Sequence, residues 1–131
     1  MRVVFDTNIF ISAFVIPGSQ AEKAMLKIIE GEDVLLLSKG ILDELLSVLS
    51  IKFSRDKEEI SRVAVILSEI AEWVEPSESI KALRDEPDNR ILECAVSGNA
   101  DIIVTGDKEI LRLGEYEKIK IISLKEYLEK L

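Results

Sequence analysis

An α/β fold with a mainly parallel sheet, covered by helices on both faces, is what this sequence predicts. Two observations carry the prediction. Strand-like and helix-like segments alternate from one end to the other, and the strand-like segments are continuous apolar runs rather than apolar–polar alternations. A length of 131 residues suits a single domain over 1–131, and 47% apolar residues supply a core that needs no disulfide staple. No repeat, linker or low-complexity segment interrupts the pattern.

Arg2–Phe5 reads as a buried first strand that ends in the polar turn Asp6-Thr7-Asn8. Ile9–Ile16 reads as helical until Pro17-Gly18-Ser19 breaks it. Ala21–Glu30 carries helical spacing in Ala24, Met25, Ile28 and Ile29, and Gly31 stops it. Val34–Leu37 is a second buried strand, and Ser38 caps a helix from Gly40 to about Ser50. A longer helix from Lys57 to Glu72 places Ile60, Val63, Ala64, Leu67 and Ile70 along one side, leaving Val65 and Ile66 off that stripe. Trp73-Val74 reads as a short extended piece, and Ser77–Pro87 as a polar loop. Asp88 opens a helix that ends near Gly98. Ile102–Val104 is a third buried strand closed by Thr105-Gly106-Asp107. A short helix over Lys108–Leu113, a strand at Ile119–Ile122 and a final helix capped by Ser123 complete the order.

The formal net charge is −8 and histidine is absent. A phosphate backbone is ordinarily met by excess Lys and Arg, so this balance fits either an acidic protein with no nucleic-acid partner or one whose carboxylates hold cations. Without histidine, catalysis must run on carboxylates, hydroxyls, lysine or a metal. A single cysteine rules out an internal disulfide and fits a reducing compartment. No apolar run approaches the ~20 residues of a spanning helix, and no signal-like segment leads the chain, which reads as cytoplasmic with no membrane partner.

In open parallel sheets the ligand site lies beyond the carboxyl ends of the strands. Asp6 follows the first strand directly and Asp107 lies just past the third. Counting about 100° per residue, Asp88 projects on the side of Ile91 and Ala95, while Glu93 falls opposite them and reads as solvent-facing. Glu44 lies about 40° from Val48, at the margin of its helix's apolar arc, so it reaches over the sheet edge while Asp43 points outward. Each acid alone has an ordinary structural reading as a turn former, a helix cap or a surface glutamate; what counts is that all four fall on one edge of one sheet. Two carboxylates ~4 Å apart repel by ~4 kcal/mol at an effective dielectric near 20, so such a cluster raises its pKa values or takes cations. Hard oxygen ligands select magnesium or manganese (Mg2+ or Mn2+), one ion or two, and a pair of ions can clamp a phosphodiester for hydrolysis. Asn8, Ser12 and Thr105 stand near the same edge, where they either orient the site or simply cap and terminate elements. Lys39, Arg90, Lys108 and Arg112 are the nearby cations that could meet phosphates.

Val4-Phe5-Asp6-Thr7-Asn8-Ile9 followed by Ser12-Ala13, then Leu42-Asp43-Glu44-Leu45, then Pro87-Asp88-Asn89-Arg90-Ile91-Leu92-Glu93-Cys94-Ala95, then Ala100-Asp101-Ile102-Ile103-Val104-Thr105-Gly106-Asp107, resemble in order and spacing the four motifs of PIN domains. The subgroup most resembled is the toxins related to VapC-type ribonucleases. The resemblance implies a three-layer α/β/α sandwich and Mg2+- or Mn2+-dependent endonucleolytic cleavage of single-stranded RNA. It also implies a toxin role with an antitoxin partner, and a homodimer. Asp6, Glu44, Asp88 and Asp107 match the family's acidic positions, and Asn8, Ser12 and Thr105 its polar ones. Asp85, three residues upstream of Asp88, is placed to share the site, although the distance from Asp88 to Ala95 fits the motif better.

A second reading, a PIN-like binding or regulatory protein with little catalysis, uses the same acidic pocket for a cation or an apolar face for a partner. Phosphotransfer folds fit worse. A receiver domain needs adjacent acids after the first strand and a lysine after a late strand. An aspartate-nucleophile phosphatase needs an acid two residues after Asp6, where the chain has Asn8.

Overall fold

The computed structural model describes residues 1–129, so the last two positions of the expected 1–131 domain lie outside the described residues. Among the described residues six strands form one sheet: β1 (Arg2–Phe5), β2 (Val34–Leu37), β3 (Ala71–Trp73), β4 (Ile102–Val104), β5 (Glu115–Tyr116) and β6 (Ile119–Ile122). Among the described residues there are seven helices: α1 (Thr7–Val15), α2 (Gln20–Ile29), α3 (Lys39–Ile51), α4 (Lys57–Ile70), α5 (Glu86–Ser97), α6 (Lys108–Leu113) and α7 (Leu124–Glu129). None is long and apolar enough to cross a membrane.

The strand order is β3-β2-β1-β4-β6-β5. Every pairing is parallel except β5 with β6. Val3, Val4 and Phe5 are all fully buried, as are Leu35, Leu36 and Leu37. Consecutive residues of a strand face opposite sides of the sheet, so both faces are covered, and the continuous apolar runs of the sequence are thereby explained. Chain connections leave β1 toward β2 on one side while β4 lies on the other, which makes the carboxyl edge between β1 and β4 the point where the winding reverses. Phe5 lies beside Val104 in register, and the Asp6 amide donates to the Val104 carbonyl at 3.0 Å. That register puts the residues just after both strands side by side.

Several elements differ from expectation. The α4 helix stops at Ile70, and Ala71–Trp73 joins the sheet as a true edge strand on β2. Glu72 is held there by both terminal nitrogens of Arg2, at 3.2 and 2.5 Å. Helix α5 begins at Glu86 with Asp85 at its cap position, so Asp88 occupies the first turn instead of opening the helix. The two-residue strand β5 was not anticipated. Glu93 is a correction: it is buried, 5% exposed, because the segment after β3 folds back over α5 and covers it. Its Oε2 accepts the Ile80 amide at 2.9 Å and pairs with Arg90. Asn89, also buried, clamps the same segment by accepting the Leu83 amide at 2.8 Å and donating to the Leu83 carbonyl at 2.9 Å. Val65 and Ile66 are exposed beyond the α4 stripe, as their positions imply.

Candidate metal centre

The site is built at the β1–β4 edge. Asp6 is 5% exposed, held by the strand it follows and by the start of α1, whose Ile9 amide donates to the Asp6 carbonyl at 2.9 Å. The Thr105 hydroxyl, at the end of β4, donates to Asp6 Oδ2 at 2.6 Å and accepts the Asp107 amide at 3.0 Å. Thr105 therefore links the first acidic residue to the last across the sheet. Asp107 spends Oδ1 on capping α6, accepting from the amides of Glu109 (2.8 Å) and Ile110 (3.1 Å). That satisfies two orphan amides of the helix and leaves Asp107 Oδ2 free of that cap.

Glu44 reaches in from α3 and Asp88 from α5, and with Asp6 and Asp107 they line one cleft of about 610 Å³. All four sequence-expected acids thus share a cleft. Asp85 lines it as well. The tightest triad among the described residues is Asp85, Asp88 and Glu109, whose carboxylate oxygens lie within 4.8 Å of one another. Glu109 was missed because a glutamate in the first turn of a helix ordinarily reads as dipole compensation.

Electrostatics follow the geometry. Burial pushes the Asp6 carboxyl above its ordinary range; the Thr105 hydroxyl and the amides of Asn8 and Thr7 oppose that rise, and Asp107 adds to it. Asp88 is raised further, from 3.8 to about 6, by burial first and then by Asp107, Asp6, Asp85 and Glu109. Its Oδ2 is fully enclosed and, among the described residues, makes no hydrogen bond. A buried acceptor without a donor is costly, and the groups that raise this carboxyl after burial are four further carboxylates.

Among the polar positions, Thr105 touches Asp6 directly and Asn8 lines the cleft with an exposed side chain. Ser12 does not line it; its backbone carbonyl accepts from the Ile16 amide at 2.9 Å and the Ser19 hydroxyl at 3.2 Å. The expected phosphate-binding cations do not stand on the cleft wall. Lys39 pairs with Asp43 at 2.7 Å and Arg90 with Glu86 and Glu93, while Lys108 is exposed. Lys52 and Phe53 do line the cleft; they lie in the break between two helices, where no periodicity points to them.

A family model described as "PIN domain" matches residues 2–109. An uncharacterized protein of Methanocaldococcus jannaschii is 33% identical over 132 residues, covering 95% of this chain and 84% of that protein. The fold is similar to three solved structures. VapBC2 from Rickettsia felis, bound to a DNA fragment from its promoter, gives a TM-score of 0.67 at 17% identity over 94% of this chain and 98% of that one. VapBC-1 from nontypeable Haemophilus influenzae gives 0.65 at 23% identity over 95% and 99%. VapC20 of Mycobacterium tuberculosis, a toxin that cleaves the sarcin-ricin loop, gives 0.61 at 13% identity over 90% and 98%.

Proposed function

The chain belongs to the PIN domain family, and from that premise we propose that it is a divalent-cation-dependent endoribonuclease that cleaves single-stranded RNA. The observation that carries the reading is the enclosed, unpartnered Asp88 Oδ2 set among the carboxylates of Asp6, Asp107, Asp85 and Glu109. These donors are all hard oxygens, which suit Mg2+ or Mn2+. Asp6, Glu44, Asp88 and Asp107 would hold one ion or two, with Asp85 and Glu109 at the rim. When bound, the cation supplies Lewis-acid activation of a phosphodiester and of the attacking water.

The chain's own residues do the rest. Thr105 donates to Asp6 Oδ2 and so restrains the Asp6 side chain on the cleft wall. Asp107 is immobilised by its cap on α6, which preorganises a ligand without recruiting a flexible side chain. Asn8 offers an amide to the phosphate. The lack of histidine is then no obstacle, because no side chain need act as a neutral-pH base.

The likeness in fold to VapBC assemblies supports a further step. The protein acts in the cytoplasm as the toxin of a toxin–antitoxin pair, as a homodimer of single-domain chains neutralised by an antitoxin protein. A second reading, a PIN-like binding or regulatory protein of weak catalysis, is favoured by one observation: Lys39, Arg84 and Arg90 are all engaged with carboxylates, which leaves them poorly placed for phosphates.

Incubating the protein with labelled single-stranded RNA and Mn2+, beside an Asp6→Asn variant, separates the two. Metal-dependent cleavage that the variant loses supports the enzyme. Equal cleavage by both would mark a contaminant, and calorimetric metal binding with no cleavage would favour the binding protein.

A further inference from the structure

Lys52 and Phe53 form the turn that ends α3, at the wall of the acidic cleft. Neither belongs to the carboxylate set. Phe53 is 40% exposed, whereas Phe5, Phe10 and Tyr127 are fully buried, so the core does not use it. The turn is nevertheless fixed. The Lys52 amide donates to the Val48 carbonyl at 2.8 Å, Ser54 adopts a left-handed φ of +50°, and the Arg55 amide reaches back to the Leu49 carbonyl at 3.1 Å. A left-handed serine is uncommon and costs free energy; the hydrogen bonds on either side hold the reversal. An exposed aromatic residue on the cleft wall is thereby carried on a hydrogen-bonded turn.

The charge on the adjacent residue is equally suggestive. Arg84 is paired with Glu109 at 3.1 Å and Lys39 with Asp43, while Arg90 lies between Glu86 and Glu93. Among the described residues no carboxylate lies within ion-pair distance of Lys52, and it is the cation on the cleft wall. An aromatic face beside a free ammonium, next to hydrolytic carboxylates, is the equipment for gripping a single strand: bases stack on rings and phosphates meet the charge.

We infer that Lys52 and Phe53 form a nucleotide-binding subsite, in which the base of a nucleotide flanking the scissile bond stacks on Phe53 and its phosphate meets Lys52. This rests on the ribonuclease reading above and adds how that substrate is held. Stacking accepts any base, so the subsite contributes affinity with weak sequence preference.

The test uses one short labelled single-stranded RNA in two assays: steady-state cleavage with Mn2+, and binding by fluorescence anisotropy in EDTA. Phe53→Ala is expected to raise KM roughly 5- to 100-fold while kcat stays within about twofold. Phe53→Trp should restore KM and Phe53→Leu should not. Replacing the flanking nucleotide by an abasic one should weaken the native protein and leave Phe53→Ala indifferent. Lys52→Gln should lower the slope of log affinity against log salt by about 1. An unchanged KM in Phe53→Ala overturns the subsite. So does a leucine that serves as well as tryptophan, since the residue would then be an apolar contact of the kind a protein partner uses. If the native protein cleaves and Phe53→Ala matches it, the subsite falls and the ribonuclease reading stands. If the native protein binds without cleaving and Phe53→Ala binds more weakly, the subsite stands and the ribonuclease reading falls. If it neither binds nor cleaves, both fall.

Discussion

Replacing Asp88 by asparagine removes the charge that the metal-free protein bears least easily. The folded carboxyl titrates at about 6 against an ordinary 3.8. Between pH ~4 and ~6 the folded chain therefore keeps a proton that the unfolded chain has released. The stability tied to this group is complete below pH ~4 and is lost as pH rises through ~6. A difference of about two pKa units corresponds to ~3 kcal/mol. The residue is partly open to solvent, which screens the repulsion, so about 1–2 kcal/mol is the working figure. For a chain of this size that is a rise in Tm of roughly 3–8 °C. The new amide also places donors among Asp6 and Asp107, where Oδ2 now has none. The assay is calorimetric or urea unfolding of both proteins in EDTA at pH 7.5 and at pH 4. The variant should be the more stable at pH 7.5 and should lose most of that advantage at pH 4. Adding Mn2+ at pH 7.5 should reverse the order, because binding to the folded state alone stabilises it. A variant less stable than the native chain in EDTA at pH 7.5, or an advantage that ignores pH, would refute the electrostatic account.

Other perturbations test the supports of the site. Thr105→Val keeps the shape but strips Asp6 of its 2.6 Å donor and the Asp107 amide of its acceptor; it should cost about 2 kcal/mol in urea unfolding and about 10- to 100-fold in Mn2+ affinity by titration calorimetry. Unaltered metal affinity would mean that Thr105 does not orient Asp6. Asn89→Ala releases both hydrogen bonds to Leu83; a loss of ~1–3 kcal/mol should come with faster amide hydrogen exchange at residues 80–85, and unchanged exchange there would show that the clamp is idle. Cys94 is buried, and burial pushes its thiol up to about 12; alkylation by iodoacetamide at pH 8 should track global unfolding, and rapid native-state labelling would contradict that burial.

Much of this arrangement is written locally in the chain. Asp6 and Asp107 were legible because one directly follows an apolar strand and the other lies three residues past the end of another, and the parallel sheet brings those strand ends together. Glu44 was legible from helical geometry alone. Glu93 defeated the same geometry. A helical wheel knows only one helix and one core, and the far side of α5 is buried by a returning loop that seats Ile80 against it. Asn89 and the acid pair Asp85–Glu109 belong to that same non-local arrangement, since the loop and α6 meet only after folding. Phe53 and Lys52 sit where helical periodicity ends, so nothing in their neighbours marks them.

The hydrogen bond from Thr105 to Asp6 joins residues 99 positions apart in the sequence. During synthesis the opening strand must wait for the fourth, and for α6 behind it, before its aspartate acquires either a donor or a neighbouring carboxylate. At ~5–20 residues per second that is an interval of several seconds in which the emerging polypeptide has no assembled centre. The carboxylate cleft is thus a late product of synthesis, absent until most of the chain has left the exit tunnel.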